Sequence, residues 1–458
     1  MKVLVCGAGQ VGVSIARHLA SEKNDVTVID LDPELIKKVN ESLDVQTVVG
    51  PASQPDILES VGASDAEMLV AVTKDDEVNM VACQVAHSIF NVPTKIARIR
   101  SQSYLAPEWQ DLFSRDNMPI DVIISPEIEI AKAVTRRLHV PGASDIISFA
   151  DDLVYVIAIS IDNNCPLIDT PLRQLTELFP DLHLRVFAIS RNDKVFTPNG
   201  DDQMLNDDEV YFAVESSQVQ RAMTAFGHNE QEARRLVILG GGNIGLYLTS
   251  ELLSQEQNLS IKLIEKNTKR AEKVVETIPN AIVINGNCLE SEILAEANVS
   301  KAEAVVAVTN DDQVNILSSL LAKQEGSGRV MTLVNNSTYS PLIRSLGVDA
   351  VINPRAITVS KILQHIRRGR IRAVHSLRDG LAEIIEAEAL ETSPLVGKTL
   401  KDIGMPEGII VAAIVRGKEV IIPQGQTEII NKDRVILFAK KEMIKKVEKL
   451  FAVRLDFF

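Results

Sequence analysis

Three glycines spaced as G-x-G-x-x-G follow directly on a short apolar run, a spacing typical of loops that bind a pyrophosphate. The first glycine permits a tight turn out of a strand, the second lets the backbone approach the phosphates, and the third lets the next helix pack closely on the strand. The N–H groups at the start of that helix attract the anion. The candidate phosphate-binding residues are Gly7, Gly9, Gln10, Val11 and Gly12.

The pattern occurs again in the second half of the chain, 240 − 7 = 233 positions later. Its candidate residues are Gly240, Gly242, Asn243, Ile244 and Gly245. A carboxylate ends the next predicted strand in each half: Asp30 lies 30 − 12 = 18 positions after the third glycine, and Glu265 lies 265 − 245 = 20 positions after it. Such a carboxylate accepts hydrogen bonds from an adenosine ribose and repels a 2′-phosphate. A lone glycine motif can be a turn that binds nothing, but strand context, spacing and acid together favour nucleotide binding.

A second motif, A-V-T-x-D-D-x-V-N, is shared by residues 71–79 and 307–315, which indicates an internal duplication. Its threonines, Thr73 and Thr309, are predicted to end the fourth strand of each half, beside the crevice where open α/β sheets bind ligands. The alternative is that the motif caps the following helix, and capping is the role that we expect mainly of the aspartates. These are Asp75, Asp76, Asp311 and Asp312.

The two halves differ after the fifth predicted strand. The first half has Arg98 and Arg100, where the second has Leu333 and Asn335. Guanidinium groups alternating onto one side of a strand end could grip a phosphate bidentately. The difference therefore suggests different ligands for the two sites, although an exposed pair of arginines that simply meets an acidic surface is the alternative.

These residues require a parallel sheet to position them, and the sequence predicts one in each half. In the first half, short apolar runs alternate with helical stretches. The predicted strands are 2–6, 26–29, 46–50, 68–73, 95–99 and 121–124. The second half replays this order, and each half continues into a module with a short helix, two strands and a turn. We therefore predict an α/β protein with two Rossmann-like, doubly wound parallel sheets, each followed by a small α+β domain. The expected domains are 1–140, 141–227, 232–372 and 373–458.

Both predicted Rossmann-like folds end in a helix with basic last turns, at residues 135–138 and 364–372. Cations there suit the helix dipole, so a solvated helix end is one interpretation and contact with an acidic partner surface is the other.

Composition narrows the classes of function. A formal net charge of −14 over 458 residues opposes binding to nucleic acid. The longest apolar runs are far below the roughly 20 residues that span a bilayer, and the start of the chain lacks the apolar stretch of a signal peptide. The cysteines are far apart and are expected to be buried free thiols, without a zinc site. They are Cys6, Cys83, Cys165 and Cys288.

The glycine loop, the repeated A-V-T-x-D-D-x-V-N motif and the P-L-x-x-x-x-L openings of the small domains resemble tandem RCK (KTN) domains over essentially the whole chain. The length and order are similar to those of the regulatory subunits of bacterial Trk potassium uptake systems. One departure is that the family often has an aspartate after the glycine of the third strand, where this chain has Pro51 and Asn287. That departure weakens any adenine contact assigned to this position.

The resemblance implies a non-catalytic subunit that binds NAD(H) and ATP or ADP. It implies a homotetrameric ring, peripherally attached at the cytoplasmic face of the inner membrane, under a membrane-embedded potassium-translocating subunit of the TrkH or TrkG type. Nucleotide binding would change the orientation of the Rossmann-like domains and so bias the pore of the membrane subunit between open and closed. By this resemblance the first nucleotide contacts Gly7, Gly9, Gly12, Asp30, Thr73, Arg98 and Arg100. The second contacts Gly240, Gly242, Gly245, Glu265 and Thr309.

An NAD-dependent oxidoreductase is the alternative from a different class of function. It needs an acid or base beside the nicotinamide and a pocket for a second substrate. The histidines are scattered along the chain, and the sequence contains no Tyr-x-x-x-Lys dyad. The sequence therefore favours a sensor over an enzyme.

Overall fold

The apolar run before the first glycine loop forms a strand whose residues Val3 to Cys6 are completely buried. A strand buried on both faces reads as a continuous apolar run, as in parallel sheets covered by helices. The computed structural model describes residues 1–179, 181–192, 194–255, 258–339, 342–343, 346–366, 371–377 and 380–451.

The strands, in chain order, are β1 Lys2–Cys6, β2 Asp25–Asp30, β3 Gln46–Val49, β4 Met68–Ala71, β5 Thr94–Arg98, β6 Val122–Ile124, β7 Ala143–Phe149, β8 Val154–Ser160, β9 Leu184–Arg191, β10 Lys194–Phe196, β11 Glu209–Glu215, β12 Arg235–Leu239, β13 Ser260–Glu265, β14 Ile282–Asn285, β15 Ala304–Ala307, β16 Arg329–Leu333, β17 Ala350–Ile352, β18 Ile371–Leu377, β19 Ala382–Glu388, β20 Lys398–Thr399, β21 Ile409–Arg416, β22 Glu419–Ile421, β23 Glu428–Ile429 and β24 Arg434–Lys440.

The α-helices are α1 Gln10–Ser21, α2 Pro33–Ser42, α3 Pro55–Ser60, α4 Asp76–Ser88, α5 Pro126–His139, α6 Arg173–Leu178, α7 Val219–Ala225, α8 Asn243–Gln255, α9 Thr268–Thr277, α10 Ser291–Glu296, α11 Asp312–Gln324, α12 Pro354–Ile366, α13 Leu400–Ile403 and α14 Ile444–Phe451.

The chain divides into two compact units, of which the first comprises Met1–Pro126 and Arg355–Arg367. Its parallel sheet has the order β3-β2-β1-β4-β5-β6, the doubly wound order of a Rossmann fold. We call this sheet with its helices the first lobe. Helix α12 belongs to this unit, where its buried Val359, Ile362, Leu363 and Ile366 join the apolar core on one face of the sheet. A helix that follows the second sheet in the chain thus completes the core of the first lobe.

The second unit comprises Glu127–Pro354 and Arg368–Phe458. It contains a second parallel sheet in the order β14-β13-β12-β15-β16-β17, which we call, with its helices, the second lobe. Helix α5, which follows the first sheet in the chain, also belongs to this unit from Glu127 onward. The predicted α/β class with two Rossmann-like sheets is confirmed.

The small domains of the second unit are antiparallel sheets in the orders β10-β9-β11-β8-β7 and β18-β19-β24-β21-β22. Their apolar faces form one core in which the rings of Phe187 and Phe438 lie 5.9 Å apart. Each sheet repeats one ion pair with a buried aspartate, Arg191 with Asp208 and Arg416 with Asp433. The small domains are therefore a duplicated pair that share a core.

The structure differs from the sequence-based predictions in the strands of the small domains and at the basic helix ends. The strands β7, β8, β18 and β19 were missed, although they supply much of the small-domain cores. Arg137 is not on a solvated helix end, since it is 5% exposed and forms an ion pair with Asp145 of the same unit. Residues 367–370 of the second basic helix end lie outside the described residues, and Arg372 pairs with Glu388.

The predicted burial of the cysteines is confirmed, since all four are buried and free of disulfides. Over the described part of the chain, no helix combines the length and the apolar character that crossing a bilayer requires.

Candidate functional site

The first glycine loop is built so that two of its glycines are required by packing and one is not. Gly7 has a φ of 115°, and a β-carbon there would lie 2.9 Å from the carbonyl oxygen of Val72. A β-carbon at Gly12 would lie 1.8 Å from the carbonyl oxygen of Gly7. A β-carbon at Gly9 would meet no atom of the described residues within 4 Å. The missing side chain of Gly9 therefore leaves open space above the N-terminus of α1, as the approach of a phosphate requires.

The second loop has the same construction. Gly240 has a φ of 113°, and its β-carbon would lie 3.0 Å from the backbone nitrogen of Thr309. The β-carbon of Gly245 would lie 1.9 Å from the carbonyl oxygen of Gly240, whereas that of Gly242 would meet nothing within 4 Å. The start of α8, with Asn243 and Ile244, thus follows an open loop as α1 does with Gln10 and Val11.

The predicted carboxylates lie against these loops and hold them. Asp30 accepts hydrogen bonds from the backbone nitrogens of Ala8, at 2.6 Å, and of Asp32, at 2.9 Å. Glu265 accepts them from Gly241, at 2.8 Å, and from Asn267, at 2.7 Å. Each oxygen keeps a further lone pair, so the acids can fix the loop and still accept from a ribose hydroxyl.

The threonine of each repeated motif is fixed by an asparagine that ends the motif. Asn79 is fully buried, and its Oδ1 accepts from the nitrogen of Thr73, at 2.9 Å, and from Thr73 Oγ1, at 2.8 Å. Its Nδ2 donates to the carbonyl oxygen of Arg98, at 2.9 Å. This one amide joins the carboxyl ends of β4 and β5 next to the glycine loop.

The second lobe repeats this arrangement. Asn315, also fully buried, accepts from the nitrogen of Thr309 at 2.8 Å and from its Oγ1 at 2.7 Å, and donates to the carbonyl oxygen of Leu333 at 3.0 Å. The sequence reasoning assigned the asparagines no role. Both asparagines stand at the last position of the duplicated motif, and this repetition could have indicated a shared structural role.

Helix capping is confirmed for only one of the aspartates. Asp311 accepts from the nitrogens of Gln313 and Val314 at the start of α11, whereas Asp75 stands at the N-cap of α4 without a side-chain hydrogen bond to the helix. The expectation was wrong for the second aspartate of each motif.

That second aspartate holds the loop after the fifth strand of its sheet instead. Asp76 accepts from the nitrogens of Arg100 and Ser101, and Asp312 accepts from those of Asn335 and Asn336. These aspartates therefore position the loop that differs between the lobes.

The arginines of the first lobe lie at the same sheet edge, although only one is on the strand. Arg98 ends β5, is half-buried, and donates from NH2 to the carbonyl oxygen of Thr73 at 2.6 Å. Arg100 is exposed and lies beyond the strand. In the second lobe Leu333 is 2% exposed, and Asn335 Nδ2 binds Asp312. A cationic edge in the first lobe is thus replaced by an apolar and an amide side chain.

The part of the chain that the structure describes shows no candidate site for a metal ion. Its residues contain no group of three or more His, Cys, Asp or Glu placed to hold a metal ion.

The sequence matches two family models, and each matches twice. The TrkA-N domain matches residues 3–126 and 236–354, and the TrkA-C domain matches residues 156–227 and 384–452. Their alternation agrees with the order of parallel and antiparallel sheets along the chain.

Two curated relatives are similar over the whole chain. The Trk system potassium uptake protein TrkA of Azorhizobium caulinodans is 53% identical over 458 residues, and that of Halomonas elongata is 41% identical over 462 residues. In both comparisons the match covers 100% of this chain and 100% of the relative.

Solved structures are similar in fold at low sequence identity. The GsuK RCK domain is 16% identical with a TM-score of 0.61, covering 99% of this chain and 95% of that one. The GsuK channel bound to NAD is 16% identical with a TM-score of 0.59, covering 99% and 79%. GsuK bound to ADP is 14% identical with a TM-score of 0.50, covering 80% and 68%.

The duplicated parallel sheets, the paired family domains and the full-length relatives agree with one another. The chain belongs to the TrkA family of Trk system potassium uptake proteins.

Proposed function

We propose that this chain is the nucleotide-sensing regulatory subunit of a Trk potassium uptake system. In this proposal a homotetrameric ring of the chain attaches to the cytoplasmic face of the inner membrane, under a potassium-translocating subunit of the TrkH or TrkG type. NAD(H) and ATP or ADP bind its two lobes, and differential affinity for two ring conformations biases the membrane pore.

The observation that carries the proposal is the open space at Gly9 and at Gly242. In both loops the outer glycines are required by close backbone contacts, whereas no atom of the described residues lies within 4 Å of a β-carbon placed at the middle one. A duplicated, unfilled approach to a helix N-terminus at a switch point of each sheet suits a bound phosphate.

The first lobe suits a nucleoside polyphosphate. Arg98 is anchored by its bond to the Thr73 carbonyl beside the loop, and Arg100 follows on a segment tied to Asp76. Two guanidinium groups on this edge can neutralise β- and γ-phosphates through charge-assisted hydrogen bonds. We therefore assign ATP or ADP to the first lobe.

The second lobe suits a dinucleotide. Leu333 and Asn335 supply no charge at the corresponding edge, and a dinucleotide has a pyrophosphate but no terminal phosphate. The glycine loop and Glu265 provide the contacts that a pyrophosphate and a ribose need. We therefore assign NAD(H) to the second lobe.

Support for nucleotide sensing also comes from outside the chain. GsuK, a structural neighbour, has been solved with NAD and with ADP, and the curated relatives carry potassium uptake in their names. The alternative, an NAD-dependent oxidoreductase, requires substrate turnover. Oxidation of NADH by the purified chain with a small carbonyl substrate would favour it.

Potassium flux through the reconstituted membrane subunit tests the proposal. ATP, ADP and NADH are each added with the wild-type chain, without it, and with a Gly9→Val/Gly242→Val variant. We expect nucleotide to change the flux only with the wild-type chain. A nucleotide response that persists without the chain, or that the double variant retains in full, would contradict the proposal.

A further inference from the structure

The two lobes carry opposite charge at the ribose end of the nucleotide site. The segment that starts with Asp30 is D-L-D-P-E-L, with three carboxylates and no cation. The segment that starts with Glu265 is E-K-N-T-K-R, with one carboxylate and three cations. The first basic side chains of α2, Lys37 and Lys38, follow only after its first turn. The reversal is therefore confined to the residues that surround the ribose-binding acid.

The two segments have the same local structure, so this charge lies at the same place in each lobe. Each acid ends the second strand of its sheet and is followed by a capping residue. Asp32 accepts from the nitrogen of Glu34 at 2.9 Å, and Asn267 accepts from the nitrogen of Arg270 at 3.0 Å. The side chains that differ are solvent-exposed, including Lys266, Lys269 and Arg270, and they are available to a ligand.

The acid of the second lobe is also the better neutralised one. Glu265 is 7% exposed, accepts two backbone N–H groups, and lies 3.7 Å from NH1 of Arg270. Asp30 accepts two N–H groups as well, but the carboxylates nearest to it in sequence, Asp32 and Glu34, add negative charge. A phosphate on the ribose would meet repulsion in the first lobe and a net positive field in the second.

We propose that the second lobe accepts an adenine dinucleotide with a phosphate on the 2′-oxygen of its ribose, and that the first lobe excludes such a ligand. Lys266 and Arg270 are the residues that determine this specificity. Arginine beside the ribose-binding position accommodates a 2′-phosphate because its guanidinium binds phosphate oxygens in a fork. The inference rests on the proposed function, in which the second lobe takes a dinucleotide.

The test is calorimetric titration of the full-length chain with NADH and with NADPH. The variant Lys266→Leu/Arg270→Leu introduces a leucine at each position, as at the corresponding Leu31 and Leu35 of the first lobe. We expect NADPH to bind the wild type within about threefold of NADH, and to bind the variant about 10- to 100-fold more weakly, as loss of charge-assisted hydrogen bonds predicts. NADH affinity should change less than about threefold.

The matched control is Lys273→Leu, which removes an exposed cation from the same helix almost one turn further on. It should leave both affinities unchanged. If NADH binds the wild type and NADPH does not, this inference is wrong and the proposed function stands. If the double variant loses both ligands equally, the residues have only a structural role and the inference fails. If neither dinucleotide binds the wild type, the dinucleotide assignment itself fails.

Discussion

Gly12 stands so close to Gly7 that a β-carbon at Gly12 would lie 1.8 Å from the Gly7 carbonyl oxygen. Helix α1 therefore crosses the turn out of β1 at a distance that only glycine allows. Gly9, between them, has no such neighbour. The motif thus combines two structural glycines with one whose absent side chain concerns only the ligand.

This difference predicts opposite effects for neighbouring substitutions. Gly12→Ala should destabilise the first lobe by about 1–3 kcal/mol, because helix and turn must separate. Gly9→Val should leave thermal unfolding without ligand near that of the wild type, since Gly9 has a φ of −70° that valine can adopt, yet it should abolish ATP binding to the first lobe. Thermal unfolding and calorimetry measure the two effects. Equal unfolding temperatures for the two variants would contradict this division of roles.

Each buried asparagine should contribute both to the stability of its own lobe and to the nucleotide affinity of that lobe. Asn79→Ala leaves the backbone nitrogen of Thr73 without its acceptor, at about 1–3 kcal/mol for a polar group left unsatisfied, whereas the Thr73 hydroxyl keeps the carbonyl oxygen of Asp75 at 3.2 Å. It should also release the strand end that carries Arg98 and weaken ATP binding. Asn315→Ala should weaken NADH binding instead. Each variant serves as the control for the other in the same titrations. If Asn79→Ala weakened only NADH binding, the assignment of ATP to the first lobe and of NADH to the second would be wrong.

The arginine edge should be specific for terminal phosphates. Arg98→Leu introduces the residue found at the corresponding position of the second lobe, and Arg100→Ala removes the second cation. Each should weaken ATP or ADP binding about 10- to 100-fold, the range expected for charge-assisted hydrogen bonds. NADH binding to the second lobe should not change and serves as the internal control. Unchanged ATP and ADP affinity in calorimetric titrations of both variants would remove the arginines from the site.

Local sequence predicted the glycine loops and their acids because each loop with its strand and helix is one contiguous segment. The register of β4 and β5 is not local, so the bond from Asn79 to the Arg98 carbonyl could not be derived from the motif alone. The fourth strand was also predicted too long in each half, since β4 ends at Ala71 and β15 ends at Ala307, which leaves Thr73 and Thr309 in the loops that follow. The spacing of the motifs thus predicted which residues lie at the edge of the sheet. The hydrogen bonds between residues of neighbouring strands depend on strand pairing, which the spacing does not give.

The sequence could not predict which sheet each helix packs against, for a related reason. The apolar period of α12 predicts a buried face, but the period is the same whichever sheet covers it. In the structure that face lies in the core of the first lobe. The turn Ala150-Asp151-Asp152 was hidden as well, because all three residues have positive φ, from 54° to 65°, without a glycine to mark the turn. The nitrogen of Ala150 is held there by Glu386 of the other small domain.

A partly buried charged cluster links the small domains of the second unit. Asp145 on β7 forms an ion pair with Arg137 and lies 3.5 Å from Nε2 of His375 on β18. Arg137 also donates to the carbonyl oxygens of Ala133 and Ser144. Burial raises the pKa of Asp145, but the Arg137 guanidinium and His375 outweigh burial, so the pKa lies below its ordinary range.

Because the folded state lowers the pKa of Asp145, its ionised form stabilises the fold at pH values above the unfolded pKa of about 3.9, and this contribution is lost as the pH falls toward the folded value. Asp145→Asn should cost about 3–5 kcal/mol at pH 7, since it leaves the 5% exposed Arg137 buried without its carboxylate. Urea unfolding of wild type and variant should show a stability difference that shrinks as the pH falls below about 4. Arg173→Ala, which removes an exposed pair with Asp201 in the same unit, should cost less than about 1 kcal/mol at every pH. A difference between wild type and Asp145→Asn that stays the same or grows as the pH falls below about 4 would show that Asp145 is not held ionised in the folded state.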